Sequence, residues 1–385
     1  MRRSMELERK GRQMIKKQVV VIGGGPSGMA AAIEASKRGA DVLVIDANEK
    51  AGGQLFKQIH KFFGSSAHRA GVRGIDIGQE LLTQAKKSGV EIWLDSVAIG
   101  LFDEKTVAIE IGKDDMEKEV VALQAEKIVI ASGASENVVR FKGWTLPGVI
   151  GAGAAQTMVN INRVLPGKRV LMIGTGNVGL IVSYQLMQGG ADVVSLVEAA
   201  PKIGGYAVHA SKITRAGVPI KTRYTILEAR GKNRVEQAVI GQVDENWNII
   251  PGTEETLDVD VITIAAGLKP LTELVMMYGC NMEFDPVLGG WVPLHNRDME
   301  TSCEGIYVAG DITGVEEANT ALEEGRLAGV DIAYKCGCLS EAEAEKEKGE
   351  IWDRLNGLRL GPHGEARMKA KMNQIQRFEQ AVGGE

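Results

Sequence analysis

Hydrophobic positions along the chain fall into short, unbroken runs separated by glycine. Residues 17–22 (Lys-Gln-Val-Val-Val-Ile) are β-branched and apolar without alternation, the pattern of a strand buried on both faces, and they end at Gly23-Gly24-Gly25. Residues 27–38 follow with helical spacing (Met29, Ala30, Ile33, Ala35) and stop at Gly39. Residues 41–45 predict a second buried strand, closed by Asp46. This is one β-α-β unit. The pattern then returns. Residues 168–173 predict a strand, Gly174-Thr175-Gly176 a tight turn, 177–188 a helix ended by Gly189-Gly190, and 192–197 the partner strand, closed by Glu198.

The repetition extends further. In the first half, 106–111 and 119–123 alternate as hairpin strands around 112–115, and the apolar strand 127–131 runs into Ser132-Gly133. In the second half, 235–243 and 256–259 serve as the meander, and 261–265 runs into Ala266-Gly267. Two copies of one supersecondary plan imply two similar domains. After Pro270 the chain returns to the first domain: 306–311 reads as another buried strand and 316–333 as a helix. The predicted fold class is α/β, with two Rossmann-like three-layer dinucleotide-binding domains, the second inserted in the first. The expected divisions are a flexible arm over 1–16, the first domain over 17–150 and 269–335, the second over 151–268, and a charged helical tail over 336–385. That tail (helical over 341–355, then polar) reads as a solvated or partner-contacting appendage.

Composition narrows the function. The 385 residues carry a net charge of −5 with no basic stripe, which argues against a nucleic-acid partner. No apolar run approaches the roughly 20 residues that span a bilayer. The first 17 residues hold seven Lys/Arg against two Glu, and a glycine-rich turn follows instead of a signal peptide's apolar stretch. A cytoplasmic protein is expected. The four cysteines, Cys280, Cys303, Cys336 and Cys338, include no Cys-x-x-Cys pair. Cys336-Gly337-Cys338 would supply two metal ligands where about four are needed, and the five histidines lack ligand spacing, so no metal site is predicted.

Chemistry enters with the glycines. Gly23-x-Gly25-x-x-Gly28 sits between a strand and a helix, where a dinucleotide fingerprint belongs. The first Gly allows the tight turn, the second lets backbone approach a pyrophosphate, and the third lets helix pack on strand, with Pro26 and Ser27 opening the helix. Amides at that helix N-terminus face the phosphates. Asp46, 18 residues after Gly28, is placed to accept from ribose hydroxyls. Gly174-x-Gly176-x-x-Gly179 repeats the arrangement with Asn177 and Val178 at the helix start and Glu198 19 residues on. A carboxylate there favours a free 2′-hydroxyl over a 2′-phosphate, so NAD(H) is expected over NADP(H). Lys202 is the residue that argues the other way.

The ordered set of Gly23 to Gly28, Ala131-Ser132-Gly133, Gly174 to Gly179, Ala265-Ala266-Gly267 and Gly310-Asp311 resembles the two-dinucleotide-binding flavoprotein superfamily that includes thioredoxin reductase. The resemblance covers about residues 17–335. It implies FAD on the first domain and a pyridine nucleotide on the second. It also implies that Asp311 bonds the ribityl chain and that Gly52-Gly53-Gln54 lies along the FAD. Ala318 would open the helix facing the flavin pyrimidine edge, and Val97 would contact adenine through its backbone. Thioredoxin reductase carries a redox Cys-x-x-Cys in its nucleotide domain, and this chain has none there, which removes thioredoxin reduction. The segments 146–156, Gly52-Gly53-Gln54 and 324–329 resemble the FAD/NAD-binding alpha-type subunits of heteromeric amine and amino-acid dehydrogenases, such as opine oxidase, hydrogen cyanide synthase, dye-linked proline dehydrogenase and sarcosine oxidase alpha. That resemblance implies an electron-transfer subunit moving electrons between FAD, a pyridine nucleotide and a partner redox centre. The implied partners are a small iron–sulfur protein, since this chain lacks the cysteine-rich extension of many relatives, together with a substrate-oxidising flavoprotein subunit.

Two other functions stay open: a self-sufficient NADH-dependent reductase of a ferredoxin, quinone or small acceptor, and a scaffold subunit binding an adenine nucleotide. Lys57, His60, Lys61, His68, Arg69 and Arg73 are read as a solvated loop, with an anionic pocket as the alternative. His209 to Lys212 is either a nucleotide-domain contact or plain surface. No catalytic acid–base residue is expected, because hydride exchange between two cofactor rings needs only their stacking.

Overall fold

The structure is a computed structural model that describes residues 14–62, 65–112, 118–361 and 364–383. The chain divides into two compact units. The first comprises the chain up to Phe56, Lys61–Ser135 and Lys269 onward; the second comprises Lys57–His60 and Glu136–Leu268. The second unit takes in residues 136–150, which the sequence pattern assigns to the first, because the strand Val149–Gly151 pairs with Val261–Ile264 inside the second unit's sheet.

The first unit is built on a seven-stranded sheet in the order Glu91–Trp93, Val42–Ile45, Ile15–Ile22, Glu119–Ile130, Thr106–Ile111, Ser96–Phe102. Its central strands run parallel, with Val19 opposite Val42 and Ile22 opposite Ile130. Ile306–Val308 adds a parallel strand to the far end of Glu119–Ile130. The hairpin strand and the core strand read separately at 119–123 and 127–131 are one strand. Gln124 and Glu126 continue an alternation whose other face buries Leu123 and Ala125, so the polar residues mark the strand's second face and no break. Ile15 and Lys16, expected in the arm, already pair with Leu123 and Gln124. The rest of that arm and most of the 112–115 turn lie outside the described residues.

Helix Pro26–Ser36 packs on helix Ala318–Lys335 through two glycines: a Cβ at Gly325 would stand 2.1 Å from the Ser27 carbonyl O, and one at Gly329 2.5 Å from that of Ala31. The charged C-terminal region is no solvated appendage. Helices Glu341–Leu358 and Glu365–Val382 bury Ala344, Ile351, Trp352, Leu355 and Ile375 in the unit's main core. Their apolar stripe is interrupted by Lys348 and Lys371, both buried and ion-paired, which hides the core face in a polarity pattern.

The second unit has a five-stranded parallel sheet in the order Ile220–Thr222, Asp192–Glu198, Arg169–Ile173, Val261–Ile264, Val149–Gly151. Beside it stands an antiparallel meander of Tyr224–Arg230, Gln237–Gln242 and Glu255–Asp258, of which the sequence reading lacked the first strand. The fold is α/β, with two Rossmann-like parallel-sheet units. No helix of the described residues is long and apolar enough to cross a membrane.

Candidate functional site

At the end of strand Ile15–Ile22, Gly23 adopts a φ of +104°, and a Cβ there would stand 2.3 Å from the Ala131 carbonyl O. Only glycine permits that turn. A Cβ at Gly28 would lie 1.9 Å from the Gly23 carbonyl O, so the helix rests directly on the turn. At Gly25 a Cβ would meet nothing within 4 Å. Open space therefore lies in front of the first-turn amides of a helix whose N1 position is Pro26. That concavity, which any side chain would fill, fits a pyrophosphate. Beside it Asp46 is buried, its Oδ2 accepting from Gly24 N at 2.8 Å and its Oδ1 from Asn48 N and Nδ2, each at 2.8 Å. A carboxylate has about four acceptor sites, so one remains for a sugar hydroxyl.

The second unit repeats this geometry. Gly174 has a φ of +96°, and its Cβ would stand 2.3 Å from the Ala265 carbonyl O. A Cβ at Gly179 would lie 2.2 Å from the Gly174 carbonyl O, whereas one at Gly176 would meet nothing within 4 Å. Glu198 holds the turn as Asp46 does: Oε2 accepts from Thr175 N at 2.9 Å and Oγ1 at 2.8 Å, and Oε1 from Ala200 N at 3.0 Å. Asn177 Oδ1 accepts from Tyr206 N at 2.9 Å, and Val178 is exposed on the helix's first turn. Gly267, at φ +88°, accepts through its carbonyl from Asn137 N at 3.0 Å.

The sequence reading missed one element of this repeat. Lys50-Ala51-Gly52-Gly53 and Lys202-Ile203-Gly204-Gly205 stand at equal distances after Asp46 and Glu198. Both return to the turn. Gly52 N donates to the Gly24 carbonyl at 2.6 Å, and Gly205 N to that of Thr175 at 2.8 Å. A Cβ at Gly53 would stand 2.8 Å from Gly25 Cα, and Gln54 beside it is exposed. The signal was present as a second Lys-x-Gly-Gly.

The first unit adds a second end to its site. A Cβ at Gly310 would stand 2.5 Å from Ser27 Oγ, so the segment after Ile306–Val308 reaches the opening of helix Pro26–Ser36. Asp311 follows, and the helix beginning at Ala318 stands seven positions on. Burial pushes the Asp311 carboxyl up to about 6; the Glu316 amide opposes this and the Glu324 charge adds to it. Ala131, Ser132 and Gly133 serve the return of the chain: Ala131 N donates to the Ile22 carbonyl at 2.8 Å, Ser132 Oγ to that of Leu271 at 2.7 Å, and Gly133 accepts from Leu271 N at 3.0 Å. Val97, exposed on Ser96–Phe102, lies next to Ser96, whose amide donates to the Asp46 carbonyl at 3.0 Å.

Beneath Asp311 lies a charge cluster that sequence reasoning missed. Glu324 is buried, accepting at Oε2 from Gly310 N at 2.9 Å and at Oε1 from Arg359 at 2.6 Å and Lys371 at 2.8 Å. Burial alone would raise its pKa; Lys371 and Arg359 outweigh this and hold it down at about 2. Only the length and charge of Arg and Lys signalled these partners, and those are shared with every surface cation.

The basic loop is divided between the two units. Lys57 and His60 belong to the second unit, where Lys57 Nζ donates to the Gly153 carbonyl at 3.3 Å. His60 and His209 rings lie 6.3 Å apart, and burial, followed by the His209 and Lys212 charges, pushes His60 down to about 4. His209 is buried, so it is not plain surface. His68 belongs to the first unit, buried with Nε2 3.7 Å from Glu323, and Arg69 pairs with Glu80 at 2.7 Å. All four cysteines lie in the first unit and none is in a disulfide; burial pushes Cys280 up to about 12 and Cys336 to about 11.

The family model of the pyridine nucleotide-disulphide oxidoreductases matches residues 17–325. An opine oxidase subunit of Agrobacterium tumefaciens (strain Ach5) is 30% identical over 325 residues, covering 80% of this chain and 64% of that protein. Hydrogen cyanide synthase subunit HcnB of Pseudomonas protegens is 25% identical over 358 residues, covering 86% of this chain and 73% of its own. The chain thus spans just under two thirds of the first of these relatives. L-proline dehydrogenase from P. horikoshii shares the fold at a TM-score of 0.66 and 20% identity, covering 90% of this chain and 60% of that one. Thioredoxin reductase from T. acidophilum shares it at 0.66 and 20%, covering 83% and 99%. Two glycine-opened helix ends, each with its carboxylate, and a match over most of the length agree: the chain belongs to the pyridine nucleotide-disulphide oxidoreductase family.

Proposed function

We propose that this chain is the electron-transfer subunit of a heteromeric amine or amino-acid dehydrogenase, carrying FAD on its first unit and NAD(H) on its second. One observation carries the reading: both nucleotide turns are intact while the second unit contains no cysteine, so that unit offers no dithiol to take electrons from the flavin. They pass to a redox centre on a partner, a substrate-oxidising flavoprotein or a small iron–sulfur protein. The names of two relatives, one a subunit of opine oxidase and the other of hydrogen cyanide synthase, support this.

In this reading Gly23, Gly25, Pro26, Ser27 and Gly28 cradle the FAD pyrophosphate. Asp46 takes the adenosine ribose, Val97 the adenine, and Gly53 and Gln54 flank the cofactor beside Ala131, Ser132 and Gly133. Gly310, Asp311 and Ala318 face the ribityl and flavin end. Gly174, Gly176, Asn177, Val178 and Gly179 hold the nicotinamide dinucleotide, with Glu198 on its ribose and Gly267 beside it. Bound FAD supplies the two-electron chemistry; the protein's part is to bind, orient and exclude water. Glu198 favours NAD(H), because a 2′-phosphate would meet a carboxylate. Purification of the native complex tests the subunit role: a single polypeptide that oxidises an amine unaided overturns it. A self-sufficient reductase is the second reading, favoured by the near-complete coverage of thioredoxin reductase. Steady NADH oxidation by the isolated chain with simple dyes decides for it.

A further inference from the structure

The C-terminal helices reach the loop that carries Asp311 through buried charge. We propose that Lys371 and Arg359 are positioning residues for the flavin end of the FAD site, acting through Glu324 and Glu316 to fix the backbone of residues 310–316. The inference rests on the reading that Asp311 faces the cofactor.

The loop is held at both ends from the same two places. At its start, Glu324 accepts from Gly310 N at 2.9 Å and from Thr313 Oγ1 at 3.0 Å, and Lys371 Nζ bonds both Thr313 Oγ1 and Glu324. At its end, Arg359 grips the Glu316 carboxylate through Nε at 3.0 Å and Nη2 at 2.6 Å while the same Nη2 reaches Glu324 at 2.6 Å. Lys371 is 1% exposed, Arg359 3% and Glu324 3%. Desolvating three charges is expensive, and a well-packed apolar trio is often as stable, so such a cluster is weak evidence for stability alone. Its geometry has another effect. Gly310, whose φ is +80°, has its amide aimed by an anion that the two cations keep charged, and Asp311 is the next residue. An unneutralised Glu324 would raise the cost of a second carboxylate beside it. Lys371 and Arg359 lie 60 and 48 positions beyond Asp311 in the chain, so the flavin end is completed by the C-terminal helices, outside the segment matched by the family model.

The full-length apoprotein decides the matter by FAD titration alongside thermal melts. Lys371→Met is compared with Ile375→Ala, which weakens the same helix through its apolar contact. K371M is expected to raise the FAD Kd by about tenfold or more, Lys371→Arg to recover most of that, and I375A to stay within about twofold at a similar loss of Tm. Equal effects of K371M and I375A on FAD binding, or a wild-type Kd in K371M, would overturn the proposal. The double variant Glu324→Gln/Lys371→Met strands no buried charge and serves if K371M does not fold; wild-type FAD affinity in it also overturns the proposal. Asp311→Asn separates the two levels. If D311N binds FAD as wild type does, the placement of the flavin end is wrong; if D311N loses affinity and K371M does not, only the positioning role is wrong.

Discussion

Asp311 stores a cost that can be measured without cofactor. Its carboxyl is raised from 3.8 to about 6, by burial first, with the Glu324 and Glu316 charges adding and the Glu316 amide and Lys371 opposing. A group whose folded pKa exceeds its unfolded value binds extra protons when folded, so stability is lost as pH rises from about 4 through about 6. A rise of that size corresponds to about 3 kcal/mol, and the solvent left on this half-buried residue reduces it to about 1–3 kcal/mol. D311N removes the ionisation while keeping an oxygen that can accept from the Glu316 amide, as Asp311 does at 3.4 Å. Apo D311N should therefore be more stable than wild type at pH 8, with the difference vanishing near pH 4. Urea denaturation of both apoproteins across that range measures it. With FAD present the order should invert, because a hydroxyl donated to the carboxylate favours its charged form. A difference constant from pH 4 to pH 8 would refute the reasoning.

Three further outcomes follow from the same geometry. Gly25→Ala should change apoprotein stability by no more than about 1 kcal/mol, since its Cβ meets nothing within 4 Å, yet abolish FAD binding; Gly28→Ala, 1.9 Å from a carbonyl, should destabilise by about 3 kcal/mol or more in chemical denaturation. Glu198→Gln should raise the KM for NADH about tenfold and narrow its advantage over NADPH, read by steady-state kinetics, because the carboxylate discriminates by charge. Lys348→Met should cost about 1–3 kcal/mol in urea melts, because it removes the nearer cation of buried Asp331, 2.6 Å away, and leaves Lys335 at 3.4 Å and the Tyr307 hydroxyl as its partners.

The nucleotide turns were legible because glycine is required at fixed spacing in each: a Cβ at Gly28 or Gly179 would meet the carbonyl of the turn's first glycine, and one at Gly23 or Gly174 the carbonyl that ends the neighbouring parallel strand, at Ala131 or Ala265. Helix Asn177–Gln188 was read to the residue because Gly176 and Gly189 cap both ends. Helix Gly74–Lys87 was missed although Ile77, Leu81 and Ala85 recur every four residues; Arg73 at its N-cap gives no start signal. The capping box Ser340-x-x-Glu343 was a legible start for the C-terminal helices, with Glu343 N donating to Ser340 Oγ and Ser340 N to the Glu343 carboxylate. What lies inside them was not legible. Lys371 is 47 positions from Glu324, and only a tertiary partner distinguishes a buried lysine from a solvated one.

The two units also show where the first candidate site departs from the second. In the second unit, strand Val149–Gly151 runs straight into helix Ala152–Asn160, with Gly151 as both strand end and N-cap, and that helix packs on Asn177–Gln188. In the first unit the corresponding strand, Ile306–Val308, lies on the equivalent edge of its sheet, and its helix, Ala318–Lys335, packs on Pro26–Ser36. The elements match, but residues 309–317 intervene between strand and helix. That insertion holds Gly310, Asp311 and Glu316, and it brings the raised carboxyl and the buried cations with it. A loop of this polarity needs partners for its amides and charges, and the second unit, without the loop, needs no such helices. The C-terminal helices and the loop over 309–317 are thus tied together by charge, and a variant that shortens the loop past Thr313 and Glu316 should leave Lys371 and Arg359 with Glu324 as their shared partner.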